Sequence, residues 1–337
     1  MRHIQINDYR QNPAVRGLLT LAADPVDESA LQALFDACEH LQVLARLDAA
    51  GQVCALAAYR HSDEYSLCVE YLAVLPAHQH RGLASSLMHE LQRLHHKGIW
   101  ATTDDDAVDF YRALGCVLSR SAPDPRWPGT QRYLGTLPHA PLLASQPTED
   151  PGYQEVDGAL SRGVVTLVEP QAHWPLDFQA LRRVIADALG PAALAIEHTG
   201  STSVPGLPAK PIIDIALIVP DADDEDSYVP QLRAAGLVFW HREPGWYAHR
   251  MFKPGGSTNL APANIHIFSS GSPEYLRMML FRDHLRTHAE DRSAYAAVKY
   301  AAASELLAKD GDQGLIMDYN RIKEPFILAL HAKIFAG

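Results

Sequence analysis

The sequence is poor in cysteine and in positive charge, and it has no long apolar run. Only 4 of its 337 residues are cysteines, and none has CxxC spacing: Cys38, Cys54, Cys68 and Cys116. This spacing argues against a metal or redox motif and indicates ordinary buried thiols. No apolar stretch approaches the roughly 18 residues of a membrane span, and the N-terminus lacks the regions of a secretory signal. We therefore expect a cytoplasmic protein that does not bind a membrane.

The charge balance is acidic. The 29 lysines and arginines are outnumbered by 40 aspartates and glutamates, which gives a formal net charge of −11. Because no long Lys/Arg stripe offsets this charge, we do not expect nucleic acid as a partner. An acidic surface tolerates a cationic substrate such as an amine.

The length and the hydrophobic pattern predict an α/β (α+β) protein of two domains. Residues 1–136 alternate short strands and helices, which predicts the first α/β domain. Residues 137–161 hold four prolines in a polar stretch and predict a linker. Residues 162–337 predict a second α/β domain, with an apolar strand over 212–219 inside its sheet and helices from Pro273 onward.

The strongest local pattern is the segment Leu75–Ala84, which reads LPAHQHRGLA. A strand ends before it and a helix begins at Gly82, so backbone amides and the helix dipole would favour an anion there. The small residues Gly82 and Ala84 allow the backbone to approach a pyrophosphate, and Arg81 adds a cation. Taken alone, the pattern also fits a tight strand-to-helix connection.

This segment resembles the Q-x-x-G-x-A signature of the GNAT superfamily of N-acetyltransferases. The stretch Ala107–Cys116, AVDFYRALGC, is similar to the A-x-x-F-Y-x-x-L-G-F segment of the same superfamily. The resemblance implies the GNAT fold, which is a mixed sheet with flanking helices, together with acetyl-CoA as cofactor and direct acetyl transfer to an amine. By analogy with other members, we expect a small-molecule acceptor.

The resemblance also implies a set of site residues. Tyr111 would act as general acid to the CoA thiolate, and Glu70 would act as base or relay for the amine proton. The alternatives are that Tyr111 only packs against the sheet and that Glu70 is an exposed strand residue. Asp104 replaces the Asn of relatives and could cap the following helix. The implied cofactor-binding residues are Leu72, Val74, Gln79, His80, Arg81, Gly82, Leu83, Ala84 and Asp104.

A second pattern lies in the C-terminal half. The turn at Gly200-Ser201 offers amides and hydroxyls to a phosphate, and Asp214 stands in an otherwise apolar strand, where a carboxylate is costly unless it is paired or binds a cation. The region from about Val164 to Phe335 resembles the GrpB family, which implies a nucleotidyltransferase-like fold with C-terminal helices. The candidate ligand-site residues are His198, Gly200, Ser201, Thr202, Lys210, Asp214, His266 and Arg282.

The catalytic capacity of this second domain is open at the level of sequence. A two-metal nucleotidyltransferase needs paired carboxylates, but Ala216 stands where the second would be, and the later strand offers His266. Asp214 and His266 could hold one divalent cation or hydrogen-bond a ligand, whereas a satisfied core histidine is the alternative for His198 and His266. Four cationic residues on the terminal helices form either an anion-binding face or solvated positions: Arg282, Arg286, Lys299 and Lys323.

Three functional hypotheses follow. The first is acetyl-CoA-dependent N-acetyl transfer, with the second domain recognising the substrate or a nucleotide-like ligand. The second is nucleotidyl transfer in the C-terminal domain, with the N-terminal domain ancillary. The third is a non-catalytic CoA-binding sensor.

Overall fold

Two units make up the fold. A computed structural model of the protein describes residues 2–4, 12–25, 27–125, 128–144, 152–159 and 161–336. The first unit comprises Met1–Cys116 and Gly135–His139, and the second comprises Val117–Leu134 and Ala140–Gly337. The predicted boundaries at 136/137 and 161/162 differ from this division.

A mixed sheet forms the centre of the first unit. Its strands run in the order β1-β2-β3-β4-β5-β7, and β6 pairs with the start of β7 within the second unit. The strands are β1 (Arg2–Ile4), β2 (Gln42–Leu47), β3 (Val53–His61), β4 (Ser66–Val74), β5 (Gly98–Asp104), β6 (Val117–Arg120) and β7 (Arg132–Leu137). The helices are α1 (Pro13–Ala23), α2 (Glu28–Ala37), α3 (Leu83–His95) and α4 (Val108–Leu114).

Local signals explain where the first helices begin. Asn12 Oδ1 accepts hydrogen bonds from the amides of Ala14 (3.0 Å) and Val15 (3.3 Å), and Pro13 occupies the first turn. Asp27 Oδ1 caps α2 by accepting from the amide of Ala30 at 2.8 Å. The apolar faces of both helices then pack in one buried cluster with β2 and β3.

The sheet opens between β4 and β5. These strands are parallel, but they pair only from Ser66↔Gly98 to Cys68↔Trp100. Beyond this point the described partner of β4 is β3, and the register between β3 and β4 shifts so that Glu70 has no opposite residue. A bulge of this kind bends the strand and redirects its side chains. The second half of β4 therefore has one edge that is not paired with β5.

The second unit has a six-stranded sheet in the order β8-β11-β12-β13-β10-β9. Strands β10 and β13 are parallel, and the other described pairs are antiparallel. The strands are β8 (Gln154–Glu155), β9 (Ala195–Thr199), β10 (Ile213–Val219), β11 (Leu237–Glu243), β12 (His249–Pro254) and β13 (Ala263–Ser269). The helices are α5 (Ala140–Ala144), α6 (Trp174–Leu189), α7 (Val229–Ala234), α8 (Pro273–Thr287), α9 (Ala289–Asp310) and α10 (Ile316–Ala336).

Strand β10 lies inside this sheet, between β9 and β13. Its alternate residues Ile213, Ile215 and Leu217 are buried in the main core together with Leu181 and Ile185 of α6. Because side chains alternate along a strand, Asp214 and Ala216 face the other side of the sheet. There, residues from α8, α9 and α10 help to line a cavity.

The stretch 137–161, predicted as a linker, contributes a helix and a strand in its described parts. Leu143 of α5 is buried. The buried guanidinium of Arg277 donates hydrogen bonds to the carbonyl oxygens of Leu142 (2.7 Å) and Leu143 (2.9 Å). Strand β8 extends the sheet by pairing with β11. The composition of this stretch shows that it is polar. It does not show that its carbonyl oxygens accept hydrogen bonds from Arg277, a buried cation more than 100 residues away in sequence.

The predicted fold class is confirmed. Both units are mixed α/β structures, and the second ends in three helices, as predicted. Among the described residues, no helix combines the length and apolar character that a bilayer crossing requires.

Candidate functional site

The predicted pyrophosphate cradle is a strand-turn-helix connection with left-handed residues. After β4, a short 3-10 turn over Pro76–His78 leads to His80 (φ 58°) and Gly82 (φ 72°), and Gly82 is the N-cap of α3. No side chain caps this helix. Its first-turn amides therefore lack the intrahelical partner that later amides have and can donate to an anion.

Space is open at the cradle. A Cβ added at Gly82 would meet no atom within 4 Å, so the positive φ, and not a lack of space, favours glycine here. The same open space lets a ligand approach the backbone closely. Gln79 turns back toward the strand, where its Nε2 donates to the carbonyl of Val74 at 3.1 Å. The adjoining cavity has a volume of about 410 Å³ and is lined by Arg46, His78, Arg81, Leu83, Cys54 and residues 47–50. Arg81 lies just before the helix N-terminus and Arg46 of β2 lines the same cavity, so two cations are available to an anionic ligand beside the single carboxylate among the described lining residues, that of Asp48.

Glu70 lies at the bulge of β4 and is held by β3. Its Oε1 accepts a hydrogen bond from Arg60 Nε at 2.9 Å and another from Cys68 Sγ at 3.2 Å. The Arg60 guanidinium lies over the ring of Trp100, 5.6 Å from its centroid. Arg60 holds the Glu70 carboxylate in place. Because the Glu70 side chain is 37% exposed, solvent or a substrate can still reach the carboxylate.

The other predicted residues of this unit have different settings. Tyr111 is buried on α4. Leu72 and Val74 pair with Ala57 and Ala55 of β3, on the half of β4 that has left β5. Asp104 does not cap α4: the N-cap is Ala107, and Asp104 Oδ1 accepts from the amide of Asp106 at 3.2 Å. The helix begins three residues later than the capping hypothesis requires.

In the second unit, the Gly-Ser turn lies directly against Asp214. Thr199, which precedes Gly200, pairs with Asp214 in the antiparallel β9/β10 register. Asp214 Oδ1 accepts a hydrogen bond from Asn264 Nδ2 at 2.9 Å and lies 3.8 Å from His266 Nε2. Burial raises the pKa of Asp214, but His266, Asn264 and Lys210 together leave it lowered. Asp214 is therefore an ionised group at the cavity wall.

A cavity of about 290 Å³ collects most of the predicted ligand-site residues. The predicted residues that line it are Gly200, Ser201, Thr202, Lys210, Asp214 and His266. It also receives Lys299 and Lys323 from α9 and α10, which the sequence left open between a ligand site and a solvated face. Aromatic and methionine side chains complete its walls: Tyr153, Trp240, Met251, Met278, Tyr295, Met317 and Tyr319.

Two predicted residues do not line this cavity. His198 stacks on Phe178 with 4.8 Å between ring centroids, and its Nε2 lies 3.0 Å from Thr202 Oγ1. Burial lowers the pKa of His198 to about 4, so its ring is neutral at pH 7. Arg282 donates to Glu197 (3.0 Å), to Asp283 (2.7 Å) and to the carbonyl of His198 (3.1 Å). Both residues are held by contacts within the domain.

A chain of imidazoles, of which His249 and His241 are buried, continues from Asp214 through His266. His266 Nδ1 lies 3.0 Å from His249 Nε2, and His249 Nδ1 lies 2.7 Å from Glu243 Oε2. His241 Nε2 completes the series at 3.3 Å from Glu243. Burial lowers the pKa of His249 to about 4, whereas the two histidines hold the pKa of Glu243 well below its usual range.

Of the described residues, His241, Glu243 and His249 form the group whose ligand atoms are close enough for a metal ion, all lying within 4.8 Å of one another. The predicted cation ligands, Asp214 and His266, are not this group. The H-x-E spacing at 241–243 was a signal in the sequence, since alternate strand residues share a face. Its third member comes from β12, which only strand pairing brings near.

Comparison with known proteins places both halves of the chain. Residues 164–333 match the family model of the GrpB protein, and residues 39–115 match that of the acetyltransferase (GNAT) domain. Because the first match spans just over half of the chain, the protein belongs to the GrpB family. A UPF0157 protein of Halalkalibacterium halodurans is 48% identical over 158 residues, which cover 46% of this chain and 79% of that protein.

Solved structures of both kinds are similar to parts of the chain. The GrpB protein of Enterococcus faecalis has 27% identity and a TM-score of 0.43, over 51% of this chain and 98% of its own. An aminoglycoside 6'-N-acetyltransferase complexed with coenzyme A has 12% identity and a TM-score of 0.33, over 40% of this chain and 96% of its own. The two family matches show that the chain carries a GNAT acetyltransferase domain followed by a GrpB domain.

Proposed function

We propose that the protein is an acetyl-CoA-dependent N-acetyltransferase that acts on a small-molecule amine. The observation that carries this proposal is the cradle at Gly82: an uncapped helix N-terminus, a glycine with φ 72°, and open space where a side chain would stand. These features fit the pyrophosphate of CoA, because it needs several amide donors and a close approach of the backbone. The edge of β4 that is not paired with β5 leads directly into this cradle.

The chemistry can be assigned to residues of this unit. Acetyl-CoA, when bound, supplies an acetyl group activated as a thioester. The amides of residues 80–84 bind the pyrophosphate, and Arg46 and Arg81 add positive charge beside it. Glu70, held in place by Arg60, accepts the proton that the attacking amine loses, directly or through water. Tyr111 donates a proton to the departing sulfur, which leaves CoA as a thiol.

The GrpB domain has the role of ligand recognition in this proposal. Asp214 is the single carboxylate on its stretch of β10, because Ala216 occupies the next position on the same face and Asn264 and His266 follow on β13. Nucleotidyl transfer with two metal ions needs paired carboxylates. The cavity beside Asp214 instead suits a substrate or a nucleotide-like ligand. The free state of the four cysteines agrees with the reducing cytoplasm that we propose as the location.

The first test is the thermal midpoint of the purified full chain with and without acetyl-CoA, followed by an acetylation screen across small amines. A ligand that binds the native state must raise the midpoint by mass action. Gly82→Glu should abolish the shift because it places a side chain and a negative charge in the cradle. Gly82→Asn is the matched control, because asparagine tolerates a positive φ and adds no charge. It should fold as well as the Glu variant and retain more acetyl-CoA binding.

The outcomes separate the three hypotheses. A shift with acetyl-CoA together with amine acetylation supports the proposal. A shift with CoA compounds but no turnover across the panel supports a CoA-binding sensor. No shift with CoA compounds, but a shift with ATP and Mg²⁺, rejects the proposal in favour of nucleotidyl transfer by the C-terminal domain.

A further inference from the structure

The cavity of the GrpB domain contains more positive charge than its own acidic groups can balance. Lys299 is 2% exposed and Lys323 is 8% exposed, while Lys210 is half-buried beside them. Asp214 is the one carboxylate among the described residues that line the cavity. A chain with a formal net charge of −11 has thus concentrated lysines in one cavity. Buried ammonium groups are costly unless they are paired.

The lysines have few partners within the protein. Lys299 Nζ donates to the carbonyl oxygen of Pro208. Lys323 Nζ lies 4.0 Å from the centroid of the Tyr319 ring, and Lys210 Nζ lies 5.4 Å from it. In the described part of the chain, neither Lys210 nor Lys323 donates a hydrogen bond to a protein acceptor. Their donor capacity is therefore left for a molecule in the cavity.

A second, independent observation is the hydroxyl of Tyr319. This side chain is 1% exposed and lines the same cavity, yet its hydroxyl has no hydrogen-bond partner within the described ranges. A buried hydroxyl without a partner costs about 1–3 kcal/mol, so native proteins seldom leave one unpaired. An acceptor atom in the cavity would satisfy it.

The charge count selects the kind of anion. When Lys210, Lys299 and Lys323 are all protonated, these lysines and Asp214 together carry an excess of two positive charges beside Tyr319, apart from Lys253, which lies over the Trp240 ring. A phosphate monoester carries a charge of about −1.5 to −2 at pH 7 and offers three acceptor oxygens. A carboxylate or a sulfate ester carries only one negative charge. The dianion is therefore the better match in both charge and number of acceptors.

We infer that this cavity binds the terminal phosphate of a small phosphorylated molecule, through Lys210, Lys299, Lys323 and the Tyr319 hydroxyl. The organic part of the ligand lies against the apolar walls formed by Trp240, Met251, Met278 and Met317. A fourth lysine, Lys253, also lines the cavity. Its Nζ lies 4.1 Å from the centroid of the Trp240 ring and 3.5 Å from Ser161 Oγ, so it already has partners within the protein. This inference deepens the ligand-recognition role proposed for the GrpB domain, and it does not depend on acetyl transfer.

Electrostatics of the ligand-free protein agree with this inference. Burial and the neighbouring lysines lower the pKa of Lys323 to about 7. Burial, together with the charge of Lys210, likewise lowers the pKa of Lys299 to about 7. Lys299 and Lys323 are therefore close to losing a proton at pH 7, and a bound dianion would favour their protonated forms.

The test is calorimetric titration of the full chain at pH 7 with phenyl phosphate, and with phenyl sulfate as a monoanion of similar shape. We expect phenyl phosphate to bind at least ten times more tightly than phenyl sulfate. Lys323→Met should weaken phenyl phosphate binding at least tenfold, and Tyr319→Phe should weaken it about threefold or more. Lys309→Met, which removes an exposed lysine from α9, should leave it unchanged.

Equal affinity for the two esters, no binding of phenyl phosphate at millimolar concentration, or full affinity in both cavity variants would overturn the inference. Tyr319→Phe keeps the ring and its packing, so it remains informative if Lys323→Met fails to fold. Gly82→Glu should retain phenyl phosphate binding while it loses acetyl-CoA. The failure of one site is thereby distinguished from the failure of the other.

Discussion

Gly200 and Asp214 are packed so closely that no side chain fits between them. A Cβ on Gly200 would lie 2.7 Å from Cβ of Asp214 and closer still to the carboxylate oxygen Oδ2. Gly200 also has φ 62° and ψ −171°, a conformation that is open essentially to glycine alone. The turn and the ionised carboxylate thus define each other's position at the wall of the lysine-lined cavity.

Gly200→Ala should therefore destabilise the protein by about 2–4 kcal/mol, because it adds both a clash and backbone strain. Urea unfolding of the GrpB domain within the full chain measures the loss. Gly206→Ala is the control: its φ is +80°, but its nearest neighbour is Arg292 Nε at an ordinary 3.8 Å. A control variant as unstable as Gly200→Ala would show that the contact with Asp214 is unimportant.

Tyr111→Phe should lower kcat for amine acetylation by about 10²-fold, the usual contribution of a general acid, and should change KM for acetyl-CoA little. Tyr59→Phe is the control in the same unit, since it removes a buried hydroxyl that lies 3.0 Å from His95 Nε2. It should affect stability and leave kcat within a few-fold of the wild type. Equal losses of kcat in the two variants would assign Tyr111 a packing role.

Lys323 should make stability depend on pH. Its pKa is about 7 in the folded protein, whereas the unfolded chain has the ordinary lysine pKa of 10.5. Between these two pH values only the unfolded chain binds the proton, so the free energy of unfolding rises with pH. Below pH 7 both states are protonated and the full burial cost remains. The charged and titratable groups that face this lysine are Lys210, Asp214, Lys299 and Tyr319.

Lys323→Met should accordingly stabilise the ligand-free protein at pH 6–7 by about 2 kcal/mol relative to the wild type, with the gain shrinking toward pH 10. Urea unfolding of both proteins from pH 6 to 10 measures this difference. A gain that is constant with pH would indicate better packing and not the removal of a buried charge. A loss of stability at every pH would identify Lys323 as a structural residue.

Arg277→Met should cost about 3–5 kcal/mol. Arg277 is fully buried and pairs with Glu274 at 2.9 Å, so its removal leaves a carboxyl that is only 13% exposed without its partner. The exposed pair Arg321–Asp318 has the same i,i+3 spacing at 2.8 Å, and Arg321→Met should cost less than about 1 kcal/mol. Adding Glu274→Gln to Arg277→Met should recover part of the loss, whereas equal costs for the two arginines would contradict the argument.

The strand-turn-helix connection at Gly82 could be predicted from the sequence because all of its parts are local. Strand end, left-handed glycine and helix start fall within ten residues, so short-range backbone rules and one family motif were enough. The Gly-Ser turn and Asp214 could be named in the same way. Their contact could not, because it depends on the register in which Thr199 pairs with Asp214.

The cationic residues show the limit more clearly. In sequence, Arg282, Lys299 and Lys323 are equivalent positions on helices with polar and apolar residues. The structure ties Arg282 to Glu197 and Asp283 and buries the two lysines in a cavity with one carboxylate. Helical periodicity tells which residues share a face, but it does not tell what lies opposite that face.

The sequence by itself determined the two-part organisation, the fold class and the strand-turn-helix connection at Gly82, because these follow from hydrophobic periodicity and from contacts between near neighbours in the chain. Only the tertiary structure decided which charges are buried, which are paired and which surround a cavity. Those properties depend on residues brought together from distant segments, such as Lys210 and Lys323, and on the desolvation that their meeting imposes.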